Sequence, residues 1–184
     1  MEQKVNSDEI NRIEEIFRSS TSSDELFDAF QDAIKLKLSD IGLYKILLGN
    51  PTLSPDEIKL FTEKLIKEIP GGSFDLLMWA GKVFEHHTDY FNYVNDALFY
   101  YQRAFSVQPE SYKPLLSLLG LYNYEINLPI NQKIFDVIDK SVSSVELKSK
   151  IYYALSKHYK KCGDSSLEIK YYALAERAAE KESE

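Results

Sequence analysis

Residues 77–84 read Leu77-Met78-Trp79-Ala80-Gly81-Lys82-Val83-Phe84, and the fold turns on how this stretch recurs. Leu38, Leu77 and Leu116 stand 39 residues apart, and Gly42, Gly81 and Gly120 keep the same interval. That interval is far longer than a heptad or a strand alternation. It matches one helix-turn-helix unit repeated along the chain, each unit burying its apolar face on the next. Gly or Ser at 42, 81, 120 and 156 predicts close helix approach there, with large residues three or four positions away filling the remaining volume.

Punctuation around the repeat is helical throughout. Ser22-x-x-Glu25, Ser54-x-x-Glu57, Ser143-x-x-Glu146 and Ser165-x-x-Glu168 each fit the capping box, in which two side chains satisfy the orphan amides of a helix start. Pro55, directly after Ser54, suits a first helical position whose N–H would be unpaired anyway. Breaks are expected at Asn50-Pro51, Pro70-Gly71-Gly72, Gln108-Pro109, Leu128-Pro129 and Cys162-Gly163-Asp164. Between them apolar residues recur at helical spacing, as in Ile58, Phe61, Leu65 and Ile69, or Leu167, Tyr171, Leu174 and Ala178. The expectation is an all-α chain of about ten helices in antiparallel pairs joined by short loops. Ser39 is the weakest break, where the second and third helices could run together.

Leu77-x-x-Ala80-Gly81-x-x-Phe84, followed by Ala97-x-x-x-Tyr101-x-x-Ala104 and Pro109, resembles the tetratricopeptide repeat family. Tyr152-x-x-Leu155-Ser156-x-x-Tyr159, then Gly163, Tyr172 and Ala175, is similar, with Glu168 where that family prefers a small Ala. The copies at Leu116 and Leu38 keep less of the pattern. The resemblance implies a right-handed superhelical solenoid over residues 38–180, preceded by a helical cap at 1–37 and followed by a polar tail at 181–184. The interval exceeds the family's repeat of about 34 residues, so a longer-repeat helical solenoid is the other reading. The extra residues between Phe84 and Ala97 include Tyr90, Phe91 and Tyr93; they either extend the two helices or form an aromatic loop.

Composition narrows function. The 184 residues carry 29 acidic against 22 basic side chains, a formal charge of -7, which repels a phosphate backbone and disfavours nucleic acid. The lone Cys162 cannot form an internal disulfide, and Gln3, Lys4 and Asn6 open the chain without an apolar signal stretch. No apolar run approaches the roughly 18 to 20 residues of a membrane span. A soluble, cytoplasmic protein without membrane contact is expected. One region departs from the acidic whole: Lys148, Lys150, Lys157, Lys160, Lys161 and Lys170 face only Asp164 and Glu168 before the acidic end.

In the tetratricopeptide family the first helix of each pair lines a concave groove. Carried onto this chain by spacing, the resemblance places Met78, Lys82, Glu85 and His86 there from one pair, and Ser117, Leu121, Tyr124 and Glu125 from the next. The last pair adds Lys150, Tyr153, Lys157, Lys160 and Lys161. Lysines beside tyrosines suit an acidic peptide or a free carboxylate terminus of another protein, since Lys offers a point charge with three donors. The plainer reading is a solvated helix face. Met78, Lys82, Leu121, Tyr124, Lys150, Tyr153, Lys157, Lys160 and Lys161 are therefore the candidate partner-binding residues.

In the first copy the same offsets give Leu36, Ser39, Leu43, Ile46 and Leu47, too apolar to stay bare. Either the first two helices, through Ile10, Ile13, Phe17, Leu26, Phe27 and Phe30, fold over this end as a cap, or Leu26, Phe27 and Phe30 pair instead with a second copy in a homodimer. Catalytic signals are poor, and no cofactor or metal is expected. His86 and His87 are adjacent, so on a helix they point about 100° apart and cannot readily share an ion with Asp89. His158 and Cys162, four residues apart, can meet on one helix face but lack an evident third group, and a packing role is the expectation.

Overall fold

The computed structural model describes residues 7–87, 90–125 and 128–184, with the side chains of 90 and 91 also outside the described set. The polar start at Gln3, Lys4 and Asn6, and Asp89 beside the histidines, lie outside it. Among the described residues there are ten α-helices, two 3₁₀ turns and no strand. Contacts divide the chain into two units, Met1–Phe84 and Glu85–Glu184.

In the first unit, α1 (Ser7–Ser19) and α2 (Ser23–Lys35) precede α3 (Ile41–Leu48), α4 (Pro55–Glu68) and, after a 3₁₀ turn at Pro70–Gly72, α5 (Ser73–Glu85). Ser22 starts α2 as read, accepting from the Glu25 N–H at 3.3 Å. Ser54 and Glu57 form the complete capping box at α4, with Pro55 in the first turn. Hydrogen bonds from Ser23 and Ser54 hold the Glu57 carboxyl below its usual range. α2 and α3 are separate, because Asp40 caps α3 by accepting from the Gly42 N–H at 2.8 Å.

Tyr44 of α3 is fully buried and joins three helices, with ring centroids 6.5 Å from Phe17 of α1 and 6.4 Å from Phe30 of α2. Phe30 in turn lies 4.5 Å from Phe61 of α4. Burial, with Glu68 as a lesser cause, pushes the Tyr44 phenol up to about 12, so its hydroxyl stays a donor, to the Leu38 carbonyl at 2.8 Å. Leu43 and Leu47 are buried within this unit alongside Ile13, Leu26 and Phe30, while Phe27 is half-exposed. The Trp79 indole N–H donates to the Lys45 carbonyl at 2.9 Å and ties α5 to α3.

The repeated glycines do not all do what their spacing predicts. A Cβ at Gly42 would have the Asp40 carboxylate as its nearest neighbour, and one at Gly120 would meet, among the described residues, Glu85 Oε1 at 3.9 Å. Gly42 sits in the first turn of α3 and Gly120 ends its helix, so neither is a close helix crossing. A tight approach does occur at Gly72, where a Cβ would run into Ile41.

In the second unit, α6 (Tyr90–Val107), α7 (Lys113–Gly120) and α8 (Pro129–Ser141) precede a 3₁₀ turn at Val142–Ser144, then α9 (Lys148–Cys162) and α10 (Ser165–Glu182). Tyr90, Phe91 and Tyr93 belong to α6, so the extra residues extend a helix rather than forming an aromatic loop. Ala97, Tyr101 and Ala104 are buried at the spacing read for them.

Two expected capping boxes are corrected. Ser143 lies in the 3₁₀ turn and starts no α-helix; Asp164, not Ser165, caps α10, accepting from the Leu167 N–H at 2.9 Å. α9 has no local side-chain cap, and its start is met from a distance: Glu182 accepts from the Ser149 N–H at 3.0 Å and from its hydroxyl. The expected tail at 181–184 thus supplies a cap, since α10 runs through Lys181 to Glu182. Ser149–Glu182, Tyr153–Glu176 and Ser156–Glu168 pair in opposite chain directions, so α9 and α10 form an antiparallel hairpin. Gly163, with φ 78°, lets the Gly163 and Asp164 amides reach back to the Lys160 and Tyr159 carbonyls.

Asn50 locks the first unit's turns. It is buried, its amide donates to the Phe17 and Ser20 carbonyls at 3.0 and 3.1 Å, and its carbonyl accepts from the Thr52 N–H at 2.8 Å. Asn50→Ala removes all three of these hydrogen bonds, and urea unfolding followed by circular dichroism is expected to show a loss of about 2–4 kcal/mol. A loss under about 0.5 kcal/mol overturns that role.

Candidate functional site

α9 carries the basic region. At about 100° per residue, Lys150, Tyr153, Lys157, Lys160 and Lys161 fall within roughly a quarter-turn to a third of the helix circumference. All four lysines are exposed and Tyr153 is half-buried. The sequence order K-x-x-Y-x-x-x-K-x-x-K-K is thus one stripe on one helix. Among the described residues, neither Lys150 nor Lys157 has an ion pair. Lys160 lies 3.5 Å from Glu168, a pair exposed enough to be screened and weak. The Tyr153 hydroxyl donates to Glu176, which raises its phenol to about 12, and its ring meets Tyr172 edge-on at 5.8 Å.

Ser156 explains how the hairpin packs despite Glu168 standing where a small residue was expected. The Ser156 hydroxyl donates to the Glu168 backbone carbonyl at 3.1 Å, so the helices approach through Ser156. The Glu168 side chain turns aside to Lys160.

Tyr124, in the segment after α7, extends the stripe. Lys161 Nζ lies 3.7 Å from its ring centroid, a cation–π contact. Of the other expected binding residues, Leu121 is only 1% exposed and belongs to the core, where it cannot touch a partner. Met78 and Lys82 lie on α5 in the first unit; Met78 is half-buried, and Lys82 is exposed with Nζ 6.0 Å from the Trp79 ring. Six of the nine expected residues, Tyr124 and the five of α9, thus lie at the surface of the second unit, and Leu121 lies in that unit's core.

Behind the stripe stands a buried histidine. His158 is 3% exposed and ringed by Tyr122, Tyr124, Phe135 and Tyr159, with centroids 4.5 to 5.3 Å away. Its Nδ1 is 2.9 Å from the Tyr124 hydroxyl and its Nε2 is 3.5 Å from Cys162 Sγ. Burial first, and the Lys161 charge second, hold the imidazole below its usual pKa, so it is neutral near pH 7. The His158–Cys162 spacing was visible along the chain. Tyr124, 34 positions away on a segment without a helix, was not attributable to it. Tyr159 stacks on Tyr171 at 5.3 Å and 7°, carrying the aromatic layer across to α10, and burial raises both phenols.

A shallow cleft between the start of α9 and the end of α10 is lined by Lys148, Arg177 and Lys181 against Glu146 and Glu182, a mixed set with no preference for one sign of charge. Near the other histidines, His87 meets Tyr93 edge-on at 4.6 Å. Among the described residues no three His, Cys, Asp or Glu side chains gather as a metal site, and no helix is long and apolar enough to cross a membrane. Compared with protein-family models, curated proteins and solved structures, the chain matches none.

His158 gives a pH-dependent stability of defined sign. Its folded pKa is depressed below the unfolded value of about 6.5, so the unfolded chain binds the extra proton first on acidification. The contribution is complete above about pH 6.5 and is lost as pH falls toward the folded pKa. The urea midpoint is expected to drop between about pH 7.5 and pH 5.5 in the natural chain, and to drop less in His158→Gln. Equal drops in both chains overturn this assignment.

Proposed function

We propose that this chain is a non-enzymatic protein-interaction module, a tetratricopeptide-like solenoid of antiparallel helix pairs, which holds an acidic or C-terminal peptide segment of a partner protein against α9. The observation that carries the reading is the single exposed stripe of Lys150, Lys157, Lys160 and Lys161 flanked by Tyr153 and Tyr124. A peptide laid along α9 finds carboxylate partners at the lysines and apolar contact at the two rings. Tyr153 and Tyr124 are fixed in place by Glu176 and His158, so little side-chain entropy is lost when they are covered. The groove of the sequence reading narrows accordingly to α9 and Tyr124, and Leu121 drops out as a buried residue.

The test is fluorescence polarisation with a labelled Asp/Glu-rich peptide that ends in a free carboxylate, alongside its amidated counterpart. Lys157→Glu/Lys160→Glu/Lys161→Glu is expected to weaken binding at least about tenfold with unchanged helicity, and affinity is expected to fall as salt shortens the Debye length. Binding that neither the triple variant nor salt alters overturns the proposal.

A scaffold assembling through its terminal helices is the second reading, favoured by Ile169 and Tyr172 on α10, 69% and 53% exposed. Light scattering separates the two: a mass that rises with concentration and returns to that of the monomer in Ile169→Glu favours assembly. A monomer throughout leaves α10 as an ordinary outer face.

A further inference from the structure

The lysine stripe of α9 continues onto α10. The two helices run antiparallel, so their residues meet level by level: Tyr153 with Glu176 and Tyr172, then Ser156 and Lys160 with Glu168. Between those levels α9 carries Lys157 and α10 carries Ile169, both exposed. At about 100° per residue, Lys157 lies roughly 40° round α9 from Tyr153, and Ile169 roughly 60° round α10 from Tyr172. In an antiparallel pair these rotations carry both side chains to the same side, so all four open on one face of the hairpin. Tyr152, Tyr159 and Tyr171 stack on the other side.

Ile169 is 69% exposed and Tyr172 is 53% exposed. A lone exposed apolar residue is ordinary on a protein surface. Here the two are one turn apart on α10, and Tyr172 meets the Tyr153 ring edge-on at 5.8 Å, so the apolar group joins the stripe directly. The carboxylates that border it are already engaged: Glu168 lies 3.5 Å from Lys160, and Glu176 accepts from the Tyr153 hydroxyl. Lys150 and Lys157 have no ion pair among the described residues. The face therefore offers uncompensated positive charge beside a small apolar seat. A second copy brings the same lysine excess to the contact, and an anionic lipid surface calls for a wider apolar strip than two side chains. An acidic segment with an apolar residue of its own complements both features.

We propose that the α9–α10 face selects acidic segments that carry a bulky aliphatic or aromatic side chain among their carboxylates. The apolar group seats on Ile169, Tyr172 and Tyr153, and the carboxylates beside it reach Lys157 and Lys160. This rests on the peptide-binding reading above and adds its specificity. Lysines alone accept any acidic chain, whereas the apolar seat discriminates through a contact that salt does not screen.

The experiment compares two labelled Asp/Glu-rich peptides on the full-length chain by fluorescence polarisation, one with a central Leu and one with Ser in its place. The Leu peptide is expected to bind about tenfold more tightly, the gain from covering one aliphatic side chain. That ratio is expected to persist as salt is raised, while both affinities fall. In Ile169→Ser/Tyr172→Ser, with helicity unchanged by circular dichroism, the ratio is expected to drop to about one. Ile169→Ser alone, which leaves the Tyr153–Tyr172 contact in place, is expected to reduce it severalfold. Equal affinities for the two peptides, or a Leu advantage that survives the double variant, overturn the apolar seat; the lysine reading then stands if Lys157→Glu/Lys160→Glu/Lys161→Glu still weakens both peptides. Affinities that ignore the lysine substitutions overturn both. The seat is also overturned if a second copy occupies the face, seen as a mass that rises with concentration in the natural chain but not in Ile169→Ser. Sedimentation with phosphatidylcholine–phosphatidylserine vesicles that Ile169→Ser abolishes assigns the face to lipid and overturns it as well.

Discussion

Short helices need cover. Those of this chain run from 8 residues in α3 to 18 in α6 and α10, lengths at which an isolated helix is marginal in water, so each persists only because a neighbour buries one of its faces. In the first unit the shortest helix sits at the centre. Tyr44 of α3 gathers Phe17 and Phe30, and Phe30 carries the contact on to Phe61, so four helices share one aromatic seam. Asn50 closes the same unit from its turns, where backbone carbonyls left over at the end of α1 find a buried donor. Hydrophobic burial holds the helices together, and the amide bonds fix which turns meet.

The second unit uses the same constraint for a different purpose. α9 and α10 form a hairpin in which the half-buried Tyr152, Tyr159 and Tyr171 make a continuous aromatic layer. His158 is the junction between that layer and the surface. Its ring packs inward, one nitrogen holds Tyr124 beside Lys161, and the other meets the exposed sulfur of Cys162. The basic stripe and the thiol are thereby backed by one rigid set of side chains.

Some of this was legible along the chain because its physics is local. A capping box needs two residues three apart, and Ser54 with Glu57 forms one; the same pattern at Ser143 fails because Val142–Ser144 closes into a 3₁₀ turn and the next helix begins at Lys148. At Ser165 the acid one residue earlier, Asp164, takes the cap. The glycine interval marked repeated lengths of chain correctly as helical. It misjudged the task of two of the glycines, since Gly42 and Gly120 stand near helix ends. Leu121 was assigned to a surface by register alone, and register cannot say whether the residue just past a helix end turns inward.

By itself, then, the sequence determined an all-helical chain, most of its breaks, and a lysine-tyrosine stripe on one face of one helix. These depend on spacings of three, four and seven residues, which the geometry of a single helix converts directly into direction. Only the tertiary structure decided that Glu182 caps α9 from the far end of α10, that Tyr124 reaches His158, and that Asn50 joins two turns. Each of those contacts spans about thirty or more residues and was chosen by which faces packed, because a buried polar group takes the partner that the fold brings to it.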